Sequence, residues 1–229
     1  MIDFHTHVLP GVDHGSSSVK VSLSQLDLAA ECGIKAIVST SHFYPHQHSV
    51  KKFLEARGLA YDELVAQKAE SHPEIILAAE VLLCEGMHKL PELESLGIGD
   101  SGYILLEIPM NNCSSEIVEA ARKINANPNT KVILAHADRY PKENIEKMIK
   151  SGAKIQLNAS GLCTLFKRKH LYKWIESDLV VALGSDVHGV DRTAYSKFIK
   201  AIERIPAFVE GIMIKSAECL TVNEYKKAE

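Results

Sequence analysis

The sequence begins with Met1-Ile2-Asp3-Phe4-His5-Thr6-His7-Val8-Leu9-Pro10-Gly11-Val12-Asp13-His14-Gly15. The start of this stretch predicts a short buried strand, in which the period of two places His5 and His7 on one face. Two imidazoles on one face can share a metal ion. The turn at Pro10-Gly11 can fold the chain back, so that His14 returns to the same place. The stretch therefore predicts a metal site at the end of the first strand.

An H-x-H pair is a weak signal by itself, because the chain contains 11 histidines and has a second pair at His46-Gln47-His48. The rest of the chain strengthens it. Short apolar runs alternate with helical patterns about every 30 residues, which indicates parallel βα units. If such strands close into a barrel, their carboxyl ends lie on one face, where an active site is expected. The predicted strand ends carry His5 and His7, His42, Glu80, Glu107, His136, Asn158, and Asp186 with His188.

The chain has no linker and no low-complexity segment, which predicts one α/β domain over residues 1–229. This length suits a single barrel or sheet domain. Among the helices, a long one is predicted over residues 50–71 and a short helical segment over residues 87–96. Two more, near residues 193–204 and 216–226, are predicted to finish the chain.

The composition excludes several classes of function. A net charge of −3 offers no basic field for nucleic acid or anionic lipid. The sequence contains no apolar run as long as a membrane span and no recognisable signal peptide, so we expect a cytoplasmic protein without membrane insertion. The 5 cysteines are widely spaced and form no C-x-x-C pair, which argues against disulfides and a thiolate zinc site.

Imidazoles and carboxylates without thiolates suit Zn, Mn or Fe. The number of candidate ligands is enough for two or three ions. Paired ions lower the pKa of a bound water and stabilise both oxygens of an in-line phosphoryl displacement, so phosphoester hydrolysis is the expected reaction class. Amide hydrolysis by an amidohydrolase-like site is the chemical alternative, because such sites also begin with H-x-H.

Two arginines and two aromatic residues are candidates for substrate binding. Arg139 follows His136 by three positions, and Arg192 follows His188 by four. A guanidinium forks onto phosphate oxygens, so both are predicted to bind phosphate, with a surface position as the alternative. Phe43 and Tyr44, after His42, could stack on a substrate ring or simply pack in the loop.

These motifs resemble the polymerase and histidinol phosphatase (PHP) superfamily. The resemblance rests on the following segments in order: H-x-H (His5, His7), T-S-H (His42), A-x-E (Glu80), L-L-E-I-P (Glu107), L-A-H-x-x-R-Y (His136, Arg139, Tyr140) and G-S-D-x-H (Asp186, His188). The opening I-D-F-H-T-H-x-L-P-G-x-D and the A-H-x-x-R-Y loop are most similar to the bacterial manganese-dependent protein-tyrosine phosphatases of capsule and exopolysaccharide gene clusters.

The resemblance implies a distorted TIM-like (β/α)7 barrel with a trinuclear site. It implies that the ligands divide into one set of His5, His7, Glu80 and Asp186, a second of Glu80, Glu107 and His136, and a third of His14, His42 and His188. Manganese is the metal most expected, with Fe, Zn or Co as alternatives. The implied substrate is a phosphotyrosine protein, a bacterial tyrosine autokinase. The expected mechanism is attack by a metal-bridging hydroxide, with His42 and Arg139 as catalytic residues.

Two positions depart from the family pattern. Asp13-His14-Gly15 stands where these tyrosine phosphatases usually have D-D-G, and Ala137 replaces a usual proline in the loop before Arg139. Other PHP phosphatases have a histidine near the position of His14. A phosphatase for histidinol phosphate or another small phosphoester is therefore the alternative function. A metal-binding regulatory barrel without catalysis is a third possibility. The presence of a coordinating side chain at every ligand position argues against it.

Overall fold

The computed structural model of the protein describes residues 1–110 and 113–221. Its strand segments are β1 (Ile2–His7), β2 (Ala36–Ser39), β3 (His42–Phe43), β4 (Glu74–Leu77), β5 (Glu80–Leu82), β6 (Tyr103–Glu107), β7 (Lys131–Leu134), β8 (Lys154–Asn158), β9 (Val180–Gly184) and β10 (Val187–His188). Its α-helices are α1 (Val19–Glu31), α2 (Val50–Val65), α3 (Ser115–Ala126), α4 (Lys142–Lys150), α5 (Ala159–Leu162), α6 (Leu165–Glu176), α7 (Arg192–Arg204) and α8 (Pro206–Glu218).

All described strand pairs are parallel, and they form two sheets. One sheet has the order β10-β1-β2-β4, and the other has the order β3-β5-β6-β7-β8-β9. Three strands are each broken by two residues, at positions 40–41, 78–79 and 185–186. If each broken strand is counted once, the pairing passes through seven strands and returns to β1 through β10. The α/β class is confirmed, and the pairing order is consistent with the predicted distorted (β/α)7 barrel.

The strands are apolar runs because they are buried on both faces, as is usual for parallel sheets covered by helices. Ile104, Leu105 and Leu106 of β6 are all completely buried. One apolar cluster joins residues of several strands, including Phe4 of β1 and Ile133 of β7. The larger cluster packs the helices against the strands. Together these clusters hold the carboxyl ends of the strands in fixed positions, where the polar residues lie.

The predicted boundaries of three helical segments are wrong. The last helix begins at Pro206, ten positions before the predicted start, because proline fits the first turn of a helix. The predicted residues 222–226 lie outside the described part of the chain. The second helix ends at Val65, and residues 87–96 form two short 3₁₀ turns that are separated by a left-handed Glu92. No helix in the described ranges is long and apolar enough to cross a lipid bilayer.

Candidate metal centre

The two histidines of β1 point their Nε2 atoms at the same place. His5 Nε2 lies 3.2 Å from His7 Nε2, and both side chains are completely buried. The Nδ1 atoms face other partners, which are Asp13 Oδ2 at 2.7 Å from His7 and Gln156 Oε1 at 3.2 Å from His5. Hydrogen bonds of this kind at Nδ1 leave Nε2 free to bind a metal.

Asp13 holds the turn after β1 against the site. Its carboxylate accepts the N–H of Gly15 at 2.8 Å and the N–H of His42 at 2.9 Å. Burial raises the pKa of Asp13, but the hydrogen bond from His7 and the two N–H groups outweigh this and lower the pKa below its usual range. A Cβ atom at Gly15 would lie 2.4 Å from His7 Cβ, so only glycine allows this close approach.

Glu80 is the carboxylate at the middle of the site. Its Oε2 lies 3.1 Å from His5 Nε2, 3.4 Å from His7 Nε2 and 3.1 Å from His42 Nδ1. Its Oε1 lies 2.5 Å from His136 Nε2 on the opposite side. Burial opposes ionisation, but the charge and hydrogen bonds of the neighbouring imidazoles keep the pKa of Glu80 well below its usual value. An ionised carboxylate between two sets of imidazoles has the arrangement of a bridging ligand.

All nine predicted ligands lie around this carboxylate or along the opening above it. Three groups have ligand atoms within 4.8 Å of one another: His5, His7, Glu80 and Asp186; His7, His42 and His188; and His42, Glu80 and Glu107. His136 joins them through Glu80. His14 is exposed, and its ring centroid lies 4.8 Å from that of His42 and 4.7 Å from that of His188.

The unpaired nitrogen atoms of the site fit divalent metal ions. His188 Nδ1 faces the Asp186 carbonyl at 3.1 Å and must donate to it, while the buried Nε2 has no hydrogen-bond partner among the described residues. His42 Nδ1 is also buried and lacks a hydrogen bond, although it lies near two carboxylates. Burial, together with the nearby His7, lowers the pKa of His188 to about 4, so its imidazole stays neutral and able to bind a metal. Imidazole and carboxylate ligands without thiolates suit Mn, Fe, Co or Zn.

Asp186 connects the centre to the cavity mouth. Its Oδ1 lies 3.4 Å from His7 Nε2, and its Oδ2 accepts a hydrogen bond from Asn158 Nδ2 at 2.9 Å. Arg139 Nη2 lies 2.5 Å from the same Oδ2, while its side chain remains 47% exposed. Asp186 and His136 both have positive φ angles, 55° and 33°, and such backbone strain in non-glycine residues is concentrated at functional sites.

A cavity of about 430 Å³ opens above these residues. It is lined by His14, His42, Tyr44, Glu107, His136, Arg139, Asp186 and His188. The Tyr44 ring is stacked on His42 with its centroid 5.2 Å away, so Tyr44 and Arg139 are the predicted substrate contacts that the structure brings to the cavity. The cavity therefore combines ionisable ligands, one cation and one aromatic ring.

The structure does not bring Phe43 or Arg192 to this cavity, and both substrate-binding predictions are corrected. Phe43 is 0% exposed and packs edge to face on Phe53, because alternate residues of β3 point to opposite sides. Arg192 begins α7, is 79% exposed and lies 3.9 Å from Glu31 of α1. It lines a different cavity on the side of the molecule.

The sequence did not reveal the residues that hold the ligands. Asp13 was visible only as a neighbour of His14, and Gln156 lies two positions before the predicted strand end at Asn158. That spacing places Gln156 on the same face of β8 as Asn158, which is the signal that could have identified it. Tyr140, whose hydroxyl accepts the N–H of Ile108 at 3.2 Å, also supports the loop beside Glu107.

The chain is similar in sequence to known proteins. Residues 1–207 match the sequence model of the family described as capsular polysaccharide synthesis, CpsB/CapC. The tyrosine-protein phosphatase CpsB of Streptococcus pneumoniae is 30% identical over 214 residues, covering 83% of this chain and 84% of that protein. The tyrosine-protein phosphatase YwqE of Bacillus subtilis is 25% identical over 204 residues, covering 83% and 78%.

A solved structure supports the same fold. It comes from work on YwqE of B. subtilis and CpsB of S. pneumoniae, which are described as metal-dependent tyrosine phosphatases. It superposes with a TM-score of 0.75 at 20% identity, covering 97% of this chain and 96% of that chain. At this level of identity the match establishes the fold alone.

Proposed function

Because the chain belongs to the CpsB/CapC family of capsular polysaccharide synthesis, we propose that it is a metal-dependent protein-tyrosine phosphatase. The observation that carries this proposal is the position of Glu80, with its two oxygens facing imidazoles on opposite sides. The relatives named as tyrosine-protein phosphatases add support. The whole chain, residues 1–229, is proposed to form one phosphatase domain.

The first proposed ligand set is the same as one group of the centre. The second has His136 where the structural group has His42, and the third has His14 where the structural group has His7. His5, His7, Glu80 and Asp186 are proposed to bind one ion, and Glu80, Glu107 and His136 a second. His42 and His188 are proposed to bind a third with His14, whose ring lies beside theirs. Manganese is the preferred ion, with Fe, Zn or Co able to replace it. Two or three bound ions would lower the pKa of a water molecule and neutralise phosphoryl charge.

Arg139 is proposed to bind the phosphoryl group. Its guanidinium lies at the cavity mouth and is half-exposed, so it can reach a substrate while it remains beside Asp186. A planar guanidinium donates two parallel hydrogen bonds to phosphate oxygens and stabilises their negative charge in the transition state. His42 contributes to catalysis as a ligand that lies between Glu80 and the cavity.

Tyr44 is proposed to contact the substrate ring. Burial and the carboxylates of Glu107 and Glu80 raise the pKa of Tyr44 to about 12, so its phenol stays neutral and cannot serve as a base near pH 7. Its stacked position on His42 presents an aromatic surface at the cavity. The phenolate that leaves phosphotyrosine has a pKa of about 10, and this leaving group needs less protonation than an alkoxide. A dedicated general acid is therefore not assigned.

The proposed partner is a phosphotyrosine protein, namely a bacterial tyrosine autokinase that controls capsule export. Support comes from the family description, which connects these proteins to capsular polysaccharide synthesis. Such a substrate is reached in the cytoplasm, which is the proposed location. The net charge of −3 disfavours binding to nucleic acid.

The test of function compares two substrates on one preparation. Metal-stripped protein is reloaded with Mn²⁺, and phosphate release is measured from a phosphotyrosine peptide and from histidinol phosphate, beside a His136→Ala control. A much higher kcat/KM for the peptide, lost in the control, supports the tyrosine phosphatase. Turnover of histidinol phosphate alone would contradict it and favour the small-molecule phosphatase. Turnover of neither would favour a metal-binding barrel without catalysis.

A further inference from the structure

Gln156 of β8 makes four buried hydrogen-bond contacts, two of them with proposed metal ligands. Its Oε1 lies 2.7 Å from the backbone nitrogen of His136 and 3.2 Å from Nδ1 of His5. Its Nε2 lies 2.7 Å from the backbone carbonyl of Leu157 and 3.2 Å from Oδ1 of Asn158. The side chain is completely buried, so water does not compete for these partners.

The backbone partners determine which end of the amide is the oxygen. The N–H of His136 can only donate, and the carbonyl of Leu157 can only accept. Oε1 must therefore face His136, and Nε2 must face Leu157, as in the structure. Because Oε1 only accepts, the hydrogen between it and His5 must be carried by Nδ1 of His5. In the neutral imidazole, which is the form that binds metal, Nε2 of His5 then carries the lone pair on the side of Glu80.

The orientation of the Asp186 carboxylate follows from the same pairing of donors and acceptors. Gln156 Nε2 donates to Asn158 Oδ1, so the other end of that amide, Nδ2, donates to Asp186 Oδ2 at 2.9 Å. The backbone N–H of Asn158 is held by Asp138 at 2.8 Å, which fixes the position of the residue. Asp186 Oδ1 is left toward the imidazoles of β1.

We propose that Gln156 and Asn158 form a hydrogen-bond relay that sets the tautomer of His5 and the orientation of Asp186 for metal binding. Both are positioning residues, because they act through the ligands and lie below the cavity. The relay also holds the left-handed backbone of His136 through its N–H. This inference rests on the proposed metal centre.

Gly184 of β9 packs closely against His5 and Gln156, which leaves little space for these side chains to turn. A Cβ atom at Gly184 would lie 2.5 Å from His5 Cβ and 2.8 Å from Gln156 Nε2. Glycine at this position of β9 therefore allows the imidazole and the amide to pack in one arrangement. A side chain without hydrogen-bonding atoms at position 156 would leave Nδ1 of His5 and the N–H of His136 unpaired.

A neutral amide at His5 also differs from the carboxylate at His7. Asp13 lies 2.7 Å from His7, and both His5 and His7 lie near Glu80 and Asp186. A carboxylate in place of Gln156 would add negative charge to a buried site that already contains Asp13, Glu80 and Asp186. The amide carbonyl accepts the Nδ1 hydrogen without adding charge.

The first test uses wild-type protein with ¹⁵N-labelled histidine, loaded with Zn²⁺ because this ion is diamagnetic. Long-range ¹H–¹⁵N correlation spectra, with His5 identified by sequential assignment, report which ring nitrogen carries the proton. The expected result is a proton on Nδ1 and zinc on Nε2. A proton on Nε2 of His5 would overturn the relay, and this measurement needs no variant.

The second test compares Gln156→Met with Gln25→Met, which removes an equally buried amide that contacts Ser16 and no ligand side chain. Zinc dissociation constants are measured by competition with a chromophoric chelator. Gln156→Met is expected to weaken zinc binding by about 10–100-fold, the usual effect of losing a hydrogen bond to a ligand, while Gln25→Met leaves it unchanged. Equal affinity in both variants, with zinc bound in wild type, would overturn the relay alone. Absence of zinc in wild type would overturn the metal centre and the relay with it.

Discussion

Glu80 Oε1 lies 2.5 Å from Nε2 of His136, although the two residues are 56 positions apart in the sequence. This contact joins the first residue of β5 to the loop that follows β7. The other oxygen of Glu80 faces three imidazoles, so a single buried side chain connects the proposed metal positions. Metal binding at this centre should therefore depend on the charge of Glu80.

Replacing Glu80 by Gln should remove that charge while it preserves the size of the side chain. Loss of an outer hydrogen bond already weakens metal binding by about 10–100-fold, so loss of a ligand should reduce kcat/KM by more than a hundredfold. Metal content, measured by elemental analysis, should also fall. Glu85 is exposed, and the matched control Glu85→Gln should leave both kcat/KM and metal content unchanged. A fully active Glu80→Gln variant would contradict the bridging role.

The two predicted phosphate-binding arginines provide a direct comparison. Arg139→Met should lower kcat/KM for the phosphotyrosine peptide by about a hundredfold, as expected when a charged donor to a transition-state oxygen is lost. Arg192→Met should leave it unchanged, because Arg192 lies away from the cavity beside Glu31. Steady-state kinetics on the two variants measures these effects. The metal content of each variant is measured as a control. Equal losses in both would contradict the assignment of the cavity.

Phe43 and Tyr44 are adjacent but should respond differently to substitution. Phe43→Ala should lower the free energy of unfolding by about 3–5 kcal/mol, because it leaves a cavity in the core beside Phe53. Tyr44→Ala should change the free energy of unfolding much less and should raise KM for the peptide. Urea denaturation and peptide kinetics measure the two effects. A stable Phe43→Ala variant with raised KM would reverse this assignment.

The stability of the metal-free protein should depend on Asp3. Burial raises the pKa of Asp3 to about 6, although N–H groups of Ser185 and His5 partly offset the cost of the charge. The folded state therefore holds this proton more tightly than the unfolded state, whose pKa is about 3.9. Stability should fall as the pH rises from about 4 to 6 and then level off, a loss of about 3 kcal/mol from this group.

Asp3→Asn isolates that contribution from those of the other ionisable groups. Urea denaturation of metal-free wild type and variant across this pH range should give a difference that grows with pH in favour of the variant. A difference that stays constant with pH would show that Asp3 keeps its charge in the folded protein.

The strand ends could be predicted from the sequence because most of the ligands lie at or after the end of an apolar run, and parallel strands bring such residues to one face. The strand segments after the breaks could not be predicted, because Thr40-Ser41 and Ser185-Asp186 have the composition of a strand end and Ala78-Ala79 continues an apolar run. Phe43 was misjudged because its direction depends on the two-residue strand β3. The positions of Asp13 and Gln156 depend on contacts between distant strands, which local patterns do not encode. The left-handed backbone of His136 and Asp186 is likewise imposed by tertiary contacts.

Titration of Mn²⁺ into metal-stripped protein tests directly whether hydrolysis of phosphotyrosine depends on bound metal. Bound manganese per chain and phosphate release from a phosphotyrosine peptide are recorded on the same samples. Activity should be absent without metal and should rise together with the binding of two or three ions per chain. Full activity in the stripped protein, or binding without any peptide hydrolysis, would contradict the proposal of a metal-dependent tyrosine phosphatase.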